Sequence, residues 1–303
     1  MFSRLKNYLR YKPFVRDEFN RLYNLLEFSR KADELTRLAI HSNEKGISNT
    51  KYCDKELIVS LTTYGRRLHE AHLPIESIMQ GSVKPNRIVL NIDEKYMKSI
   101  PTVLKNQQRR GLEINACKDI RSYTKLIPTL KAYPEAAIVT IDDDLIYKYD
   151  IVEKLLRDFI EEPDVIHANR IHKIILNEDG TPKGYMDWEL SSQSDEISPL
   201  NFLTGVGGVI YPPHCFPDEV FNESVFLDIC KYADDIWFYS MALMNNVGIR
   251  RTFTHSNLGE DYILNESVQN EGLKQKNFNT QLCRNDIQLK AVFDKYDLWR
   301  KLS

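Results

Sequence analysis

The chain has 303 residues, of which 42% are apolar and 28% are charged, and its formal net charge is -2. These values are ordinary for a globular protein large enough to bury a sizeable core, and without a basic excess they do not indicate a nucleic-acid-binding protein. No run approaches the roughly 18 consecutive apolar residues of a membrane-spanning helix, and Arg4, Lys6, Arg10 and Lys12 interrupt the start, so we expect no signal peptide.

Residues 1–52 are predicted to form an amphipathic helical extension, because Phe19, Leu22, Tyr23 and Leu26 follow the i, i+3, i+4, i+7 spacing. The stretch 1–16 is basic and contains no acid. Two interpretations stand. In the first, the helix rests on an anionic membrane surface, which would be the inner face of the cytoplasmic membrane. In the second, it packs its apolar face on its own domain. We favour packing, because amphipathic helices usually cover their own domain.

From Leu57 onward, short apolar runs alternate with helical patterns. This order predicts an α/β fold with a mostly parallel central sheet flanked by helices, placed at 53–255. The C-terminal extension, 256–303, is polar at first and ends in a predicted helix around 287–296. The predicted strands cover 57–61, 87–92, 112–115, 136–141 and 165–175, and the predicted helices cover 73–79, 101–110, 151–160 and a segment from Asp234 to Met244.

Five cysteines occur, and no two of them have C-x-x-C spacing. The odd number and the spacing disfavour a disulfide framework and a cysteine zinc site. We therefore expect scattered thiols in a reducing compartment, the cytoplasm.

Three consecutive acids, Asp142, Asp143 and Asp144, follow the strand AAIVTI. Ligands of such folds bind at the carboxyl ends of the strands, and adjacent carboxylates there favour a hard divalent cation, Mn²⁺ or Mg²⁺. If the extended chain continues, Asp142 and Asp144 point to one side and Asp143 to the other. A solvated loop that caps the next helix is the alternative, but Asp150 and Glu153 already form a predicted capping box there.

Several stretches together resemble the GT-A superfamily of glycosyltransferases, and most closely the bacterial enzymes encoded with capsule and lipopolysaccharide genes. They lie between Leu57 and Leu243 and include a D-x-D motif. The stretches are LIVSLTTYGRR (57–67), RIVLNID (87–93), DIRSYTKLIP (119–128), AAIVTIDDDLIY (136–147), NFLTGVGGVIYPP (201–213) and ADDIWFYSMAL (233–243).

The resemblance implies a role for each matching position. Thr62 and Tyr64 would contact the nucleoside, Asp93 would read the base, and Lys125 would touch the donor. Asp142 and Asp143 belong to the donor site as well, and Asp144 is the best candidate metal ligand, with Asp142 as its partner. His255 is a weaker candidate ligand, and Asp235 matches the catalytic base of inverting members.

Two further predictions come from the residues themselves. Arg66 and Arg67 follow the first strand, and arginine suits bidentate contacts to phosphate, although solvated surface is the ordinary place for any one of them. Asp234 and Asp235 begin a predicted helix, where acids stabilise the macrodipole. A dual arrangement, Asp234 as cap and Asp235 as base, also fits.

Other residues have open interpretations. Gly205, Gly207 and Gly208 indicate either a close approach of the backbone to ligand or a bulge. Arg170 binds acceptor or phosphate, or forms a structural ion pair, which we favour. Trp188 and Trp237 stack on a sugar or pack in the core, and core packing is favoured for at least one of them.

The sequence thus predicts a metal-dependent glycosyltransferase that moves a sugar from a nucleotide-diphosphate donor, UDP-linked by default, to a glycan or lipid-linked glycan. Inversion rests on the Asp235 match alone. One alternative is a phosphohydrolase of the haloacid-dehalogenase type, although Ile146 fails its D-x-D-x-[TV] pattern. The other is a non-catalytic glycan-binding protein.

Overall fold

The computed structural model describes residues 2–253, 261–265 and 283–302. Seven strands form one sheet in the order β3-β2-β1-β4-β7-β6-β8, and β5 pairs with β9 in a separate two-stranded ribbon. The strands are β1 Leu57–Thr62, β2 Arg87–Asp93, β3 Leu112–Cys117, β4 Ala137–Thr140, β5 Leu145–Tyr147, β6 Ile166–Lys173, β7 Asn201–Tyr211, β8 Ile249–Arg251 and β9 Tyr262–Leu264.

The predicted α/β class and mostly parallel sheet are confirmed. Strands β3, β2, β1 and β4 run parallel, while β7 is antiparallel to both of its neighbours and β8 is parallel to β6. The central strands β1 and β4 are almost entirely buried, because helices cover both faces of the sheet. Their sequences are therefore nearly continuous apolar runs without alternating polar residues. The parallel half brings the carboxyl ends of β1, β2 and β4 to one edge.

Eight helices are described. They are α1 Phe2–His41, α2 His72–Met79, α3 Thr102–Arg109, α4 Ile127–Ala132, α5 Ile151–Glu161, α6 Glu223–Ile229, α7 Asp234–Met244 and Arg284–Tyr296, here α8. The predicted C-terminal helix is thus confirmed, and it packs Val292 and Phe293 into the core cluster that contains α7. Trp188 and Trp237 are both core residues. None of the described helices is apolar over a length that would span a bilayer.

The favoured packing of α1 on its own domain is only partly correct. Leu35 is buried against α2 and the β5–β9 ribbon, but the predicted apolar stripe is not covered by the described residues. Phe19 is 67% exposed and Leu26 is 69% exposed, and Leu22 and Tyr23 are exposed as well. Phe19, Leu22, Tyr23 and Leu26 thus lie on a part of the 40-residue helix that the described residues do not cover.

A buried ion pair joins helices α1, α2 and α3. Arg110 Nη1 lies 2.7 Å from Glu76 Oε2, and their side chains are 3% and 0% exposed. Arg110 also donates to the carbonyl oxygens of Glu44 and Leu38, and Gln107 donates to Glu76. The C-terminal end of α1 is thereby fixed to α2 and α3.

The predicted capping box at α5 is wrong. Asp150 holds the N-cap position, but its side chain caps no backbone amide. Its carboxylate pairs with Lys154, and Glu153 instead accepts a hydrogen bond from Ser82. Both acids therefore contact other side chains instead of the backbone amides of a capping box.

Candidate functional site

A cavity of about 570 Å³ opens where β1 and β4 end, and β6, β7, α7 and α8 complete its walls. This volume is typical of a small-molecule binding site. Its position at the carboxyl edge of the parallel strands is the one that open α/β sheets use for ligands. Asp142, Asp143 and Asp144 all line it, together with Asp234 and Asp235.

Lys125 joins the two acidic segments. Its ammonium lies 3.4 Å from Asp142 Oδ1 and 3.1 Å from Asp234 Oδ2. Burial opposes its charge, but the carboxylates of Asp234, Asp142 and Asp235 outweigh that effect and hold the pKa of Lys125 well above its usual value. The ammonium is therefore a fixed positive charge inside the cavity.

A buried polar network holds the backbone of Lys125. Ser60 Oγ on β1 donates to the Lys125 carbonyl oxygen at 2.6 Å and lies 2.7 Å from the hydroxyl of Thr129. Asn91 on β2 donates to both hydroxyl groups. Two core strands thus position the loop that carries Lys125.

Arg67 holds the other end of the aspartate run. Its Nη1 lies 2.8 Å from Asp143 Oδ1 and 3.3 Å from Asp144 Oδ2, and Thr63 donates to Asp143 at 2.6 Å. Burial raises the pKa of Asp143, with Arg67 and Thr63 acting in the opposite direction. Asp143 is thereby committed to protein partners, whereas Asp142 and Asp144 are the more exposed pair.

The expected alternation of the three acids is wrong in one respect. Asp143 and Asp144 both contact Arg67, while Asp142 contacts Lys125. Strand β4 ends at Thr140, and the chain turns at 143–144, so the two-residue period of an extended strand no longer applies.

Helix α7 contributes both of its first residues. Asp234 does not cap it, because Ala233 is the N-cap residue and Asp234 pairs with Lys125. Asp235 Oδ1 accepts a hydrogen bond from the backbone amide of Gly205 at 3.0 Å. Burial and the neighbouring carboxylate of Asp234 raise the pKa of Asp235 to about 7, which is suited to a general base near neutral pH.

The glycines of β7 have separate reasons to be glycine. A Cβ on Gly205 would lie 2.6 Å from the Lys125 ammonium and 3.2 Å from Asp235 Oδ1, so this position allows both side chains to approach the strand. Gly207 and Gly208 have φ values of 88° and 104°, in the left-handed region that glycine tolerates. Close approach explains the first glycine, and irregular backbone explains the other two.

Two predicted residues, Arg66 and Asp93, do not join the cavity lining. Arg66 is exposed, whereas Arg67 lines the cavity, because the short 3₁₀ helix Gly65–His69 turns only one of the two side chains inward. Asp93 accepts from the Lys95 backbone amide and pairs with the Lys95 ammonium at 2.6 Å. His255 lies outside the described residues. Thr62 and Tyr64 line the cavity, and their contact with a nucleoside stays a prediction.

The far wall contains residues for which sequence reasoning predicted no role or a different one. Arg170 lines the cavity and donates from Nε to Thr204 at 2.8 Å. The favoured structural ion pair is wrong for the described part of the chain, where Arg170 meets no carboxylate within 4.0 Å. The sequence predicted no role for Tyr185, Tyr232 and Asn285. Helix α8 and the loop at 230–233 reach the cavity only through tertiary packing.

The cavity has an excess of negative charge. Five carboxylates line it (142, 143, 144, 234 and 235), against three cations, Arg67, Lys125 and Arg170. Within 2–253, 261–265 and 283–302, no group of three or more His, Cys, Asp or Glu residues is arranged as a complete metal site. Asp142 and Asp144 nevertheless suit an ion that takes one or two carboxylates and fills its shell with water and phosphate oxygens.

The fold and site together define an α/β protein with a mixed-charge ligand cavity at the carboxyl edge of its sheet. No protein-family model matches the sequence, and no curated protein matches it. Among solved structures, CMP:2-keto-3-deoxy-manno-octonic acid synthetase complexed with CTP is 14% identical, covering 72% of this chain and 97% of its own, with a TM-score of 0.41.

Two structures of S. aureus TarS 1–349 are also similar. One is 11% identical over 79% of this chain and 71% of its own, with a TM-score of 0.41. The other, in complex with UDP, is 16% identical over 68% of this chain and 59% of its own, with a TM-score of 0.44. At these scores the similarity carries no argument about the site, and function is inferred from the cavity itself.

Proposed function

We propose that the chain is a glycosyltransferase of the GT-A superfamily that transfers a sugar, with inversion, from a nucleotide-diphosphate donor. The observation that carries the proposal is the Lys125 bridge, because it brings the acids after β4 and the acids of α7 into one cavity. One end then holds groups for a diphosphate, and the other holds a carboxylate with a pKa near neutrality.

Asp235 is the proposed catalytic base. Its carboxylate faces the cavity and is oriented by the Gly205 amide. An acceptor hydroxyl within hydrogen-bond reach would give its proton to Asp235 as the oxygen attacks the anomeric carbon and the bond from that carbon to the diphosphate oxygen breaks. Burial and Asp234 give Asp235 a pKa of about 7, so both protonation states are accessible near neutral pH.

The opposite end suits the departing diphosphate. The Lys125 ammonium provides fixed positive charge, and Thr62 and Tyr64 line the adjoining wall where the nucleoside would lie. Asp142 and Asp144 would hold Mn²⁺ or Mg²⁺, which when bound neutralises part of the diphosphate charge. Asp143 acts indirectly, because its partners Thr63 and Arg67 fix the turn that presents the other two acids.

We also propose a glycan or lipid-linked glycan as acceptor, in surface polysaccharide synthesis at the inner face of the cytoplasmic membrane. The stripe that includes Phe19, Leu22 and Leu26 is exposed, and it follows a stretch, 1–16, whose only charged residues are basic. An amphipathic helix of this kind suits an anionic lipid surface. This location would place the cavity near lipid-linked substrates.

Nucleotide binding with metal tests the proposal most directly. UDP, GDP, CMP and their common sugar conjugates are screened by thermal shift, with Mn²⁺ and with EDTA. We expect at least one to raise Tm, with the increase lost in EDTA and in Asp144→Asn. Lys105→Gln is the matched control, since Lys105 is exposed on α3, away from the cavity lining. Failure of every nucleotide to stabilise the protein with Mn²⁺ would reject the function.

The same preparation separates the phosphohydrolase alternative. A phosphohydrolase would release inorganic phosphate from simple phosphoesters and would not need a sugar nucleotide. The glycosyltransferase instead predicts slow release of free sugar from the correct donor when no acceptor is added. Phosphate release from phosphoesters, abolished by Asp144→Asn, would favour the alternative.

A further inference from the structure

Arg170 brings a positive charge to the wall of the cavity that α7 and α8 form. A register shift in β6 between Ala168 and Arg170 interrupts its pairing with β7, and the Nε–Thr204 hydrogen bond then fixes the guanidinium at the cavity wall. No described residue accepts from its two terminal nitrogens. Two parallel N–H groups on a fixed guanidinium suit a carboxylate or phosphate.

Basic side chains that are not part of the lining surround one of its residues. Tyr232, which lines the cavity, has three cations around its ring: Arg121 at 5.0 Å, Lys231 at 5.9 Å and Arg284 at 5.8 Å from the centroid. Between residues 18 and 302, as far as the side chains are described, no carboxylate lies within salt-bridge distance of these three. Elsewhere on the surface a typical arginine is neutralised, as Arg87 is by Glu56 and Glu113.

We name the three cations around Tyr232 the basic rim. Like charges collected around one ring repel each other, and an anion placed among them relieves that repulsion. Tyr232, Tyr185 and Arg170 belong to one cavity lining, so a chain that enters at the basic rim can reach Arg170 beside Asp235. The anion-binding groups therefore form a path rather than a single point.

The donor does not explain this path. Lys125 and the acids of 142–144, on the side where β1 and β4 end, already suit the diphosphate and its ion. Two of the three cations in the basic rim, Lys231 and Arg284, belong to the loop at 230–233 and to α8, and the third, Arg121, begins the 3₁₀ helix Arg121–Lys125 that also carries Lys125. Arg170, Lys231 and Arg284 therefore remain for a second anionic partner, and the acceptor is the other substrate of the proposed reaction.

We propose that the acceptor is an anionic glycan, bearing phosphodiester or carboxylate groups, which the basic rim attracts and Arg170 binds next to Asp235. This inference rests on the proposed function only where it identifies the anionic glycan as the acceptor. Binding of the glycan to the site can be tested without turnover. The contacts are charge-assisted and partly exposed, so affinity is expected to fall as salt rises.

The test measures fluorescence anisotropy of three dye-labelled oligomers of equal length with the full chain: a glycerol-phosphate oligomer, an oligogalacturonate and a neutral glucan. Saturating UDP and Mn²⁺ are present to occupy the donor side. We expect an anionic oligomer to bind more tightly than the glucan. Arg170→Gln, and separately Lys231→Gln with Arg284→Gln, should each weaken that binding by about tenfold or more.

The matched control is Lys105→Gln with Arg109→Gln, which removes two exposed positive charges from α3 and should leave binding unchanged. Equal binding of the glucan, or equal loss in the control, would overturn the inference. A second titration without UDP completes the test: tighter binding of the anionic oligomer when UDP is left out would also overturn the inference, since the site would then be that of the donor diphosphate. The thermal shift with the nucleotide panel is read separately, so failure of every nucleotide to bind rejects the glycosyltransferase function and not the anion site.

Discussion

At the residue scale, the cavity depends on a small number of close approaches. Gly205 allows the Lys125 ammonium and the Asp235 carboxylate to lie against β7, and Lys125 in turn separates Asp142 from Asp234. Lys125 contacts two carboxylates and Arg67 contacts two others, and Asp235 is left next to the carboxylate of Asp234. Burial and this neighbouring carboxylate together raise the pKa of Asp235 to about 7.

The pH dependence of transfer follows from that environment. Because the base acts deprotonated, kcat/KM should rise with pH and level off above an inflection near pH 7. Asp234→Asn removes a like charge and should move the inflection to lower pH, whereas Asp235→Asn should lower kcat by about 10²–10⁴-fold while nucleotide binding persists. An inflection that stays in place in Asp234→Asn would contradict the assignment.

The free energy of unfolding should also depend on pH through Asp235, and the dependence has the opposite sign from that of an acid in a salt bridge. The pKa of Asp235 is about 7 in the folded protein, against an ordinary aspartate value of 3.8, so the folded state binds this proton more tightly than the unfolded state. The free energy of unfolding therefore falls as pH rises through this window. At pH 8, Asp235→Asn should have a Tm no lower than the native protein, which a pH series of thermal melts will show.

At the element scale, the helices on one face are joined through a buried polar contact. Glu76 on α2 pairs with Arg110, and Arg110 donates to the chain after α1. Removal of one partner leaves the other charge buried without a counterion, which is strongly destabilising. The contact therefore contributes to the register of α1, α2 and α3 more than any surface ion pair on the same helices.

Arg110→Ala should lower the free energy of unfolding by about 3–5 kcal/mol, the cost of an uncompensated buried charge. Lys105→Ala, on the exposed side of α3, should change it by less than about 0.5 kcal/mol. Urea denaturation followed by circular dichroism measures both. Equal effects would show that the pair contributes no more than helix propensity.

At the scale of the whole molecule, one apolar surface stands apart from the core. The stripe on α1 that contains Phe19, Leu22 and Leu26 is exposed, whereas Leu35, nine residues further on, is 1% exposed against α2 and the ribbon. Leu35 thus packs on the domain, whereas Phe19, Leu22 and Leu26 do not. The residues before this stripe, 1–16, carry only basic charges, which favours an anionic surface as its partner.

Sedimentation with vesicles tests the proposed membrane contact. Vesicles that contain phosphatidylglycerol should bind the native chain, and vesicles of phosphatidylcholine alone should bind it more weakly. Leu22→Ser with Leu26→Ser should reduce binding about tenfold or more, because it removes apolar area from the exposed face. Met186→Ser is the control, an apolar side chain exposed elsewhere. Binding that is independent of both lipid charge and the stripe would reject the contact.

Elements whose signals are local can be predicted from the sequence alone. The strand runs before Asp93 and Asp142, the helix that begins at Asp234 and the C-terminal helix follow from side-chain period and turn residues over a few positions. Because parallel strands end at one edge, the acids after β4 were also correctly placed beside the ligand cavity. These inferences need no long-range contact.

Which side chains contact each other depends on the packing of distant segments and could not be predicted from local patterns. Arg67 and not Arg66 reaches the acids, Asp93 turns to Lys95, and Arg170 faces the cavity without a carboxylate partner among the described residues. Asn285 and Tyr232 join the site from segments far along the chain. Charge type and spacing cannot fix such outcomes, because a side chain's partner depends on how separate elements pack and on how burial changes the cost of leaving it unpaired.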